Sequence, residues 1–194
     1  MKHTMYSLVL IAAVVGLFQT AHAESIVAGD QVENFALVNY DGVTHTLDQY
    51  HDSTATVVMF IATQCPVSNA YNERMAALAT GYQSKGFQFI GINSNKQESV
   101  DEITEHAGEN SLPFPILKDH KNVIADRFGA TRTPEIYVLS QENIVLYHGR
   151  IDDSQNPTRI EAHDLRAALD AISAGATINP NETRSFGCSI KRVN

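Results

Sequence analysis

The chain has 194 residues, of which 43% are hydrophobic and 19% are charged, and its formal net charge at pH 7 is −8. An acidic chain without a run of Lys or Arg lacks the positive surface that nucleic acids and anionic membranes attract, so neither is expected as a partner. The length fits one domain with a sizeable hydrophobic core.

The first residues have the three parts of a secretory signal peptide. Lys2 supplies the positive start, Leu8–Phe18 is an almost unbroken apolar segment, and an A-x-A cleavage site ends at Ala23. The apolar segment is too short for a membrane span, which needs ~20 residues. We therefore expect cleavage after Ala23 and export to the periplasm or the medium, with an uncleaved anchor as the alternative. Loss of Lys2 would take the net charge to −9.

The next segments predict a β-hairpin and then a strand that ends at a cysteine. Phe35–Leu47 contains two short extended runs joined by an Asp-Gly dipeptide, which is a strong hairpin signal. The apolar and β-branched block Val57–Ala62 is typical of a strand buried on both faces. A two-residue turn then leads to Cys65.

Cys65 is predicted to lie at the N-terminus of a helix. Pro66 suits the first helical position, because its missing N–H would be unpaired there. Apolar residues then recur every three or four positions through Tyr82, which provides one face for packing on a sheet. The first helical N–H groups stabilise an anion, so we expect a reactive Cys65 thiol with a pKa below its ordinary value. The alternative is a small buried hydrophobic residue.

The remaining elements follow the order of an α/β fold. A buried strand at Phe87–Ile92 completes a strand-helix-strand unit, and Asn93 and Asn95 are expected to cap the helix that follows. The further predicted elements are a helix at 97–109, a strand at 114–117, a helix at 123–128, strands at 136–139 and 144–148, and a helix at 158–174. The chain thus divides into a signal peptide at 1–23, a domain at 24–175 and a tail without periodicity at 176–194.

Cys65 and Cys188 are the two cysteines of the chain. In an exported protein, an even number of cysteines allows an intramolecular disulfide. If the two residues pair, the closed loop of about 120 residues contributes roughly 5 kcal/mol in the chain-entropy model. Such a bridge could be structural, catalytic or both.

Residues 24–174 resemble a thioredoxin-fold redoxin of the alkyl hydroperoxide reductase/thiol-specific antioxidant superfamily. The resemblance rests on the leading hairpin, the strand that ends in Cys65-Pro66, the strand-helix-strand unit and the Thr133-Pro134 dipeptide before a second hairpin. It implies an α/β, thioredoxin-like fold with a central mixed sheet flanked by helices. It also implies that Cys65 is the reactive thiol and that Pro134 is the cis-proline beside it.

The resemblance also implies roles for residues around the reactive thiol. Thr63, Gln64, Thr133 and Pro134 are expected to bind substrate. Arg132 matches the arginine that holds the thiolate and the peroxide oxygens in such proteins, and the alternative is a solvated loop charge. No cofactor is implied.

Three positions of the chain depart from well-known relatives. Ser68 stands where thioredoxins have the second cysteine of Cys-x-x-Cys, which excludes reduction by a vicinal dithiol. Ala62 stands where typical peroxiredoxins have Thr or Ser, three residues before the reactive cysteine. Cys188 lies in a Gly-Cys-Ser-Ile-Lys extension that resembles the tail of some exported redoxin-domain proteins. There it would be either the thiol that resolves a Cys65 sulfenic acid or part of a permanent staple.

The leading hypothesis is an exported thiol oxidoreductase that acts on a peroxide or a protein disulfide and is regenerated by a small thiol or a reducing thiol protein. A second hypothesis is copper delivery or assembly on the same fold, with Cys65 and His120 as ligands, although Asn69 replaces the second cysteine of the Cys-x-x-x-Cys in such relatives. A third is a disulfide-stapled domain without chemistry. The histidines are scattered without metal-ligand spacing, so no metal site is predicted.

Overall fold

The computed structural model describes residues 25–193, and the predicted signal peptide lies outside the described residues. The strands are β1 (Ala36–Asn39), β2 (Thr44–Thr46), β3 (Ala55–Phe60), β4 (Phe87–Asn93), β5 (Ile116–Lys118), β6 (Arg132–Thr133), β7 (Glu135–Leu139), β8 (Val145–Gly149) and β9 (Cys188–Ser189). The helices are α1 (Pro66–Asn69), α2 (Asn72–Gln83), α3 (Val100–Glu109), α4 (Val123–Phe128) and α5 (Asp164–Ser173). Short 3-10 turns occupy Leu47–Tyr50, His120–Asn122 and Pro157–Arg159.

A mixed sheet of seven strands forms the centre of the molecule, in the order β2-β1-β5-β4-β3-β7-β8. Strands β3, β4 and β5 are parallel, whereas β7 pairs antiparallel with β3 and β1 pairs antiparallel with β5. The predicted α/β class with a central mixed sheet flanked by helices is therefore confirmed. The predicted N-terminal hairpin is β1–β2, and the predicted buried strand before Cys65 is β3.

Strand β3 joins the two halves of the hydrophobic core, because successive side chains of a strand point to opposite faces of the sheet. Val57 and Met59 pack on one face with the buried residues of α2, α3 and α5. Val58 and Phe60 pack on the other face with the buried residues of α4. With helices on both faces, every residue of β3 is buried, which explains its unbroken apolar pattern.

The helix after Cys65 differs from its prediction. The sequence predicts one helix from Pro66 through Tyr82, but the structure has a single turn, α1, and then a second helix, α2, with Tyr71 between them. The Tyr71 hydroxyl donates to Asp152 at 2.9 Å and its ring meets Phe186 of the tail edge-on at 6.3 Å. These tertiary contacts fix Tyr71 at the break, where periodicity alone indicated a continuous helix.

Two other helix starts were predicted too early. Helix α3 begins at Val100, because Ser99 caps it and forms a capping box with Glu102. The side-chain amides of the predicted caps Asn93 and Asn95 donate instead to Glu98. The last helix was predicted from residue 158, but α5 begins at Asp164, and the preceding residues form a 3-10 turn and an extended link.

The tail crosses the edge of the sheet before it reaches Cys65. Its backbone pairs with β8, with His148 N–H donating to Asn181 at 3.0 Å and Thr183 N–H donating to His148 at 3.0 Å. The tail was predicted to lack periodicity and is mostly irregular, but Cys188–Ser189 forms strand β9, which pairs with β6. No helix within residues 25–193 has the length and apolar character needed to cross a membrane.

Candidate active site

The two cysteines form a disulfide that joins the N-cap of α1 to the tail. The Cα atoms of Cys65 and Cys188 are 5.9 Å apart, within the usual range of disulfides. The prediction that the tail cysteine lies within bonding distance of Cys65 is therefore confirmed. Cys65 is only 2% exposed, whereas Cys188 is half-buried, so solvent reaches the bridge mainly from its tail side.

Cys65 is the N-cap of α1, as the Cys-Pro sequence predicts. The Ser68 N–H donates to the Cys65 Sγ at 3.3 Å, and the Ser68 hydroxyl accepts from the Ala62 N–H at 3.2 Å. Because α1 is a single turn, the stabilisation of a thiolate at this sulfur would come from this direct N–H contact rather than from a long helix dipole. Ser68 thus contacts both the Cys65 sulfur and the backbone of Ala62. The lowered pKa expected for a free Cys65 thiol stays a prediction.

A buried glutamate orders the turn that leads into Cys65. Glu98 is 1% exposed, and its carboxylate accepts from the backbone N–H groups of Thr63 at 2.8 Å and Gln64 at 3.2 Å. The Gln64 side chain lies outside and donates to Glu102 at 2.8 Å. The predicted substrate-binding residues Thr63 and Gln64 therefore lie beside the disulfide, and their binding role stays a prediction.

A second buried glutamate orders the loop before Pro134. The Thr133–Pro134 bond is cis, and the Thr133 carbonyl oxygen lies 3.3 Å from the Cys65 Sγ. The Glu135 carboxylate accepts from the N–H groups of Thr131 at 2.8 Å and Arg132 at 2.9 Å. The structure thus brings the predicted site residue Thr133 against Cys65, and the predicted cis-proline Pro134 follows it directly.

The charge of Glu135 is favoured by its partners. Burial raises the pKa of Glu135, but the His148 ring nitrogen at 2.9 Å and the N–H groups of Thr131 and Arg132 outweigh burial, and the net pKa is below its ordinary value. Sequence reasoning missed both Glu98 and Glu135. For Glu135, the available signal was a carboxylate at the start of an otherwise apolar strand.

The strand that carries Cys188 lies against the cis-proline loop. Thr133 pairs with Cys188 in the antiparallel register of β6 and β9, and the Ile190 N–H donates to the Thr131 carbonyl at 3.0 Å. Gly187 contacts the Thr133 carbonyl so closely that a Cβ at Gly187 would collide with it. A residue without a side chain is therefore required immediately before Cys188.

Arg132 binds the tail in this disulfide form. Its guanidinium donates to the Ser189 hydroxyl at 3.2 Å and to the Gly187 carbonyl at 3.4 Å. The sequence offered two interpretations of Arg132, a contact to the reactive sulfur or a solvated charge. The guanidinium is exposed, but it has a defined partner in the strand that carries Cys188.

The tail beyond Cys188 is held on the other side by the loop after β4. Ile190 is 7% exposed and packs in the core on the α4 face. The Lys191 N–H donates to the Asn95 side chain at 2.7 Å, and the Lys96 N–H donates to the Lys191 carbonyl at 2.9 Å. Arg192 forms an ion pair with Asp126. The strand with Cys188 is consequently fixed from both ends.

Two buried threonine hydroxyl groups lie close to the disulfide. The hydroxyl groups of Thr63 and Thr133 are buried without a hydrogen-bond partner in the part of the chain that the structure describes.

Within residues 25–193, no group of three or more His, Cys, Asp and Glu side chains could hold a metal ion. His120, the histidine considered for copper, lies exposed at the start of a 3-10 turn after β5, and both thiols are in the disulfide.

Comparison with known proteins places the chain in a family. The model of the AhpC/TSA family matches residues 28–148, which include Cys65 and Pro134 but not the Cys188 tail. The chain belongs to this family, a group of redoxins with a thioredoxin-like fold. No curated protein matches the chain significantly.

Several solved structures are similar to this one. A hypothetical protein from Sinorhizobium meliloti is 31% identical, with a TM-score of 0.81, over 88% of this chain and 97% of that one. An uncharacterized conserved protein from Geobacillus kaustophilus is 34% identical, with a TM-score of 0.80, over 86% of this chain and 92% of that one. Peroxidoxin BcpB from Mycobacterium tuberculosis shares the fold at 21% identity, with a TM-score of 0.64, over 77% of this chain and 97% of that one.

Proposed function

We propose that the protein is an exported thiol oxidoreductase whose Cys65 and Cys188 cycle between a dithiol and a disulfide. The observation that carries this proposal is the bridge itself. It joins the reactive position of a redoxin family, at the start of α1, to a strand held against the cis-proline loop. Ser68 supplies an N–H to the Cys65 sulfur, which favours the thiolate on which such chemistry depends.

The oxidative half of the cycle starts from the Cys65 thiolate. With a peroxide, the thiolate attacks one oxygen, the O–O bond breaks, the other oxygen leaves as water or an alcohol, and Cys65 becomes a sulfenic acid. The Cys188 thiol then attacks the Cys65 sulfur, and water leaves as the S–S bond forms. With a protein disulfide, Cys65 forms a mixed disulfide and Cys188 displaces the substrate, which leaves with both of its sulfurs reduced.

The reductive half uses an external thiol, either a small thiol or a thiol protein. Its thiolate attacks the more accessible sulfur, Cys188, and Cys65 leaves as the thiolate that the Ser68 N–H stabilises. A second external thiol then releases the first as a disulfide, and the dithiol is restored. Attack at Cys188 follows from burial, because the Cys65 sulfur is covered by the tail strand.

Turnover by matched cysteine variants tests this function. We expect reduced wild-type protein to consume either hydrogen peroxide or a peptide disulfide in repeated cycles with a thiol reductant. Cys65→Ser should lose both reactions. Cys188→Ser, assayed without the thiol reductant, should react once at Cys65 and then remain a sulfenic acid or a mixed disulfide. The proposal is wrong if the wild type shows no turnover and the two variants differ from it only by a lower melting temperature. The bridge would then be a purely structural disulfide.

Export is part of the proposal, since a stable disulfide is favoured outside the reducing cytosol. The supporting features are the apolar segment Leu8–Phe18 and the cleavage site at Ala23. N-terminal sequencing of the exported protein should give Glu24 as the first residue. Recovery of the protein with Met1 intact would contradict the assignment.

A further inference from the structure

Glu98 lies between the two halves of the disulfide site. Its carboxylate accepts from Thr63 and Gln64, the two residues directly before Cys65. It also accepts from the side-chain amides of Asn93 at 2.5 Å and Asn95 at 2.7 Å. Four N–H donors therefore point at one carboxylate that is 1% exposed.

Asn95 extends this contact to the tail. Its Nδ2 donates to Glu98, while its Oδ1 accepts from the backbone N–H of Lys191 at 2.7 Å. Lys191 follows Cys188 by three residues in the same docked segment. One side chain thus connects the carboxylate that orders the Cys65 turn to the backbone that orders the Cys188 strand.

The arrangement requires an ionised carboxylate. All four partners donate, and an ionised carboxylate only accepts, whereas a protonated one would need an acceptor of its own. A buried charge needs a compensating charge nearby. Lys118, 6% exposed, supplies it from the same network, with its Nζ donating to the Asn93 Oδ1 at 2.9 Å and to the Asn95 carbonyl at 2.7 Å.

The pKa of Lys118 is lowered in this network. Burial lowers the pKa of Lys118, and the charges of Glu98, Asp119 and Glu102 oppose that effect, with a net pKa below the ordinary value. Glu98 is the first of these opposing charges, so its removal would weaken the charge compensation of Lys118 and leave only Asp119 and Glu102 to supply it.

We propose that Glu98 is a positioning residue for the redox pair, holding the Cys65 turn directly and the Cys188 strand through Asn95. Glu98 itself touches neither sulfur. This inference rests on the proposed function, because a disulfide that breaks and re-forms in each cycle needs both cysteines held in place while they are reduced. Its consequence is a high local concentration of each thiol at the other, which favours the disulfide.

The redox equilibrium with glutathione tests the inference. Two glutathione thiols and the protein disulfide exchange with glutathione disulfide and the protein dithiol, and mass spectrometry after alkylation measures the ratio. Glu98→Gln keeps the shape of the side chain but turns an amide N–H₂ toward two of the four donors. We expect the equilibrium to shift toward the dithiol by about tenfold, the effect of one lost buried hydrogen bond.

This readout separates positioning from a merely structural role. A residue that stabilises the oxidised and reduced proteins equally lowers both melting temperatures and leaves the redox equilibrium unchanged. Glu105→Gln is the matched control, because it removes the same charge from the exposed face of α3. An equilibrium for Glu98→Gln equal to that of Glu105→Gln would overturn the inference.

A second variant covers the case in which Glu98→Gln does not fold. Asn95→Ala leaves the Glu98 contacts to Thr63 and Gln64 in place but removes the acceptor of the Lys191 N–H. It should shift the equilibrium in the same direction, and an unchanged equilibrium would refute the connection to the tail. Wild-type protein that forms the disulfide but shows no turnover would contradict the proposed function and leave this test of Glu98 valid.

Discussion

The two cysteines reach each other by different physical means. Cys65 is placed by the core: it follows β3, every residue of which is buried, and it caps a helix turn. Cys188 belongs to a two-residue strand in a mostly irregular tail, and backbone hydrogen bonds, one buried isoleucine and the Arg192–Asp126 ion pair hold it in place. The first cysteine is a fixed part of the fold, and the second is docked onto it.

This difference suggests a division of roles. In the proposed cycle Cys65 is the nucleophile, and β3 and α1 give it a rigid position with a fixed N–H donor. The proposed cycle also requires Cys188 to move relative to Cys65 as the bond forms and breaks, and the two-residue strand β9 is held by fewer buried side chains than β3. Three substitutions test whether the contacts between the tail and the cis-proline loop, rather than the hydrophobic core, hold Cys188 next to Cys65.

Gly187→Ala should have the largest effect on the docked side. Gly187 has φ +146 and its Cα faces the Thr133 carbonyl, so an added methyl group meets both an unfavourable backbone conformation and a collision. We expect the oxidised protein to lose roughly 3 kcal/mol in its free energy of unfolding. Denaturant unfolding of the oxidised protein measures this loss.

The matched control is Gly108→Ala in α3, where an added Cβ meets nothing within 4 Å. That change should leave the stability unchanged or raise it by less than about 1 kcal/mol. Equal stability of the two variants would show that the tail is not docked as described.

Glu135→Gln should have a smaller effect that depends on pH. The variant loses an acceptor for the cis-proline loop on which Cys188 rests, at a cost of about 1–2 kcal/mol near neutral pH. Because the pKa of Glu135 in the folded protein is below its ordinary value of 4.5, its contribution is present above that value and is lost as the pH falls through the folded value. The stability difference between wild type and variant should therefore shrink in acid.

Urea unfolding at neutral pH and at about pH 3 measures this difference. Glu33→Gln, a change at an exposed position, is the control for general charge effects. A difference between wild type and Glu135→Gln that stayed constant across this range would mean that the Glu135 charge does not support the loop.

Arg132→Gln should have the smallest effect on stability. Its guanidinium contacts to Gly187 and Ser189 are exposed, and such contacts contribute less than about 1 kcal/mol. Oxidised-protein unfolding should therefore be nearly unchanged. A loss above 2 kcal/mol would give Arg132 a greater part in docking the tail than its exposure supports.

The sequence predicted the Cys65 side of the site better than the Cys188 side, for a physical reason. A buried strand, a Cys-Pro dipeptide and an amphipathic helix are local patterns, so the position of Cys65 follows from neighbouring residues. The cis-proline loop required resemblance to a family. The break at Tyr71 was missed because it depends on Asp152 and Phe186, which are distant in sequence.

The role of Glu98 could not be found from local pattern. Glu98 contacts Thr63 from 35 residues away, and its neighbours Asn93 and Asn95 looked like ordinary helix caps. Likewise, β9 is too short for a periodic signal, and it pairs with a strand more than 50 residues earlier. Such long-range polar contacts carry no sequence period, although they determine where the two sulfurs meet.

The reversible conversion of the pair is the most direct test of the account. Fully reduced wild-type protein is mixed with one equivalent of hydrogen peroxide or of glutathione disulfide, and its thiols and intact mass are measured before and after addition of a reducing thiol. We expect both thiols to disappear together, the mass to fall by two hydrogens without retained oxygen, and both thiols to return on reduction. Thiols that persist with both oxidants, or an oxidised Cys65 that accumulates beside a free Cys188, would contradict the account.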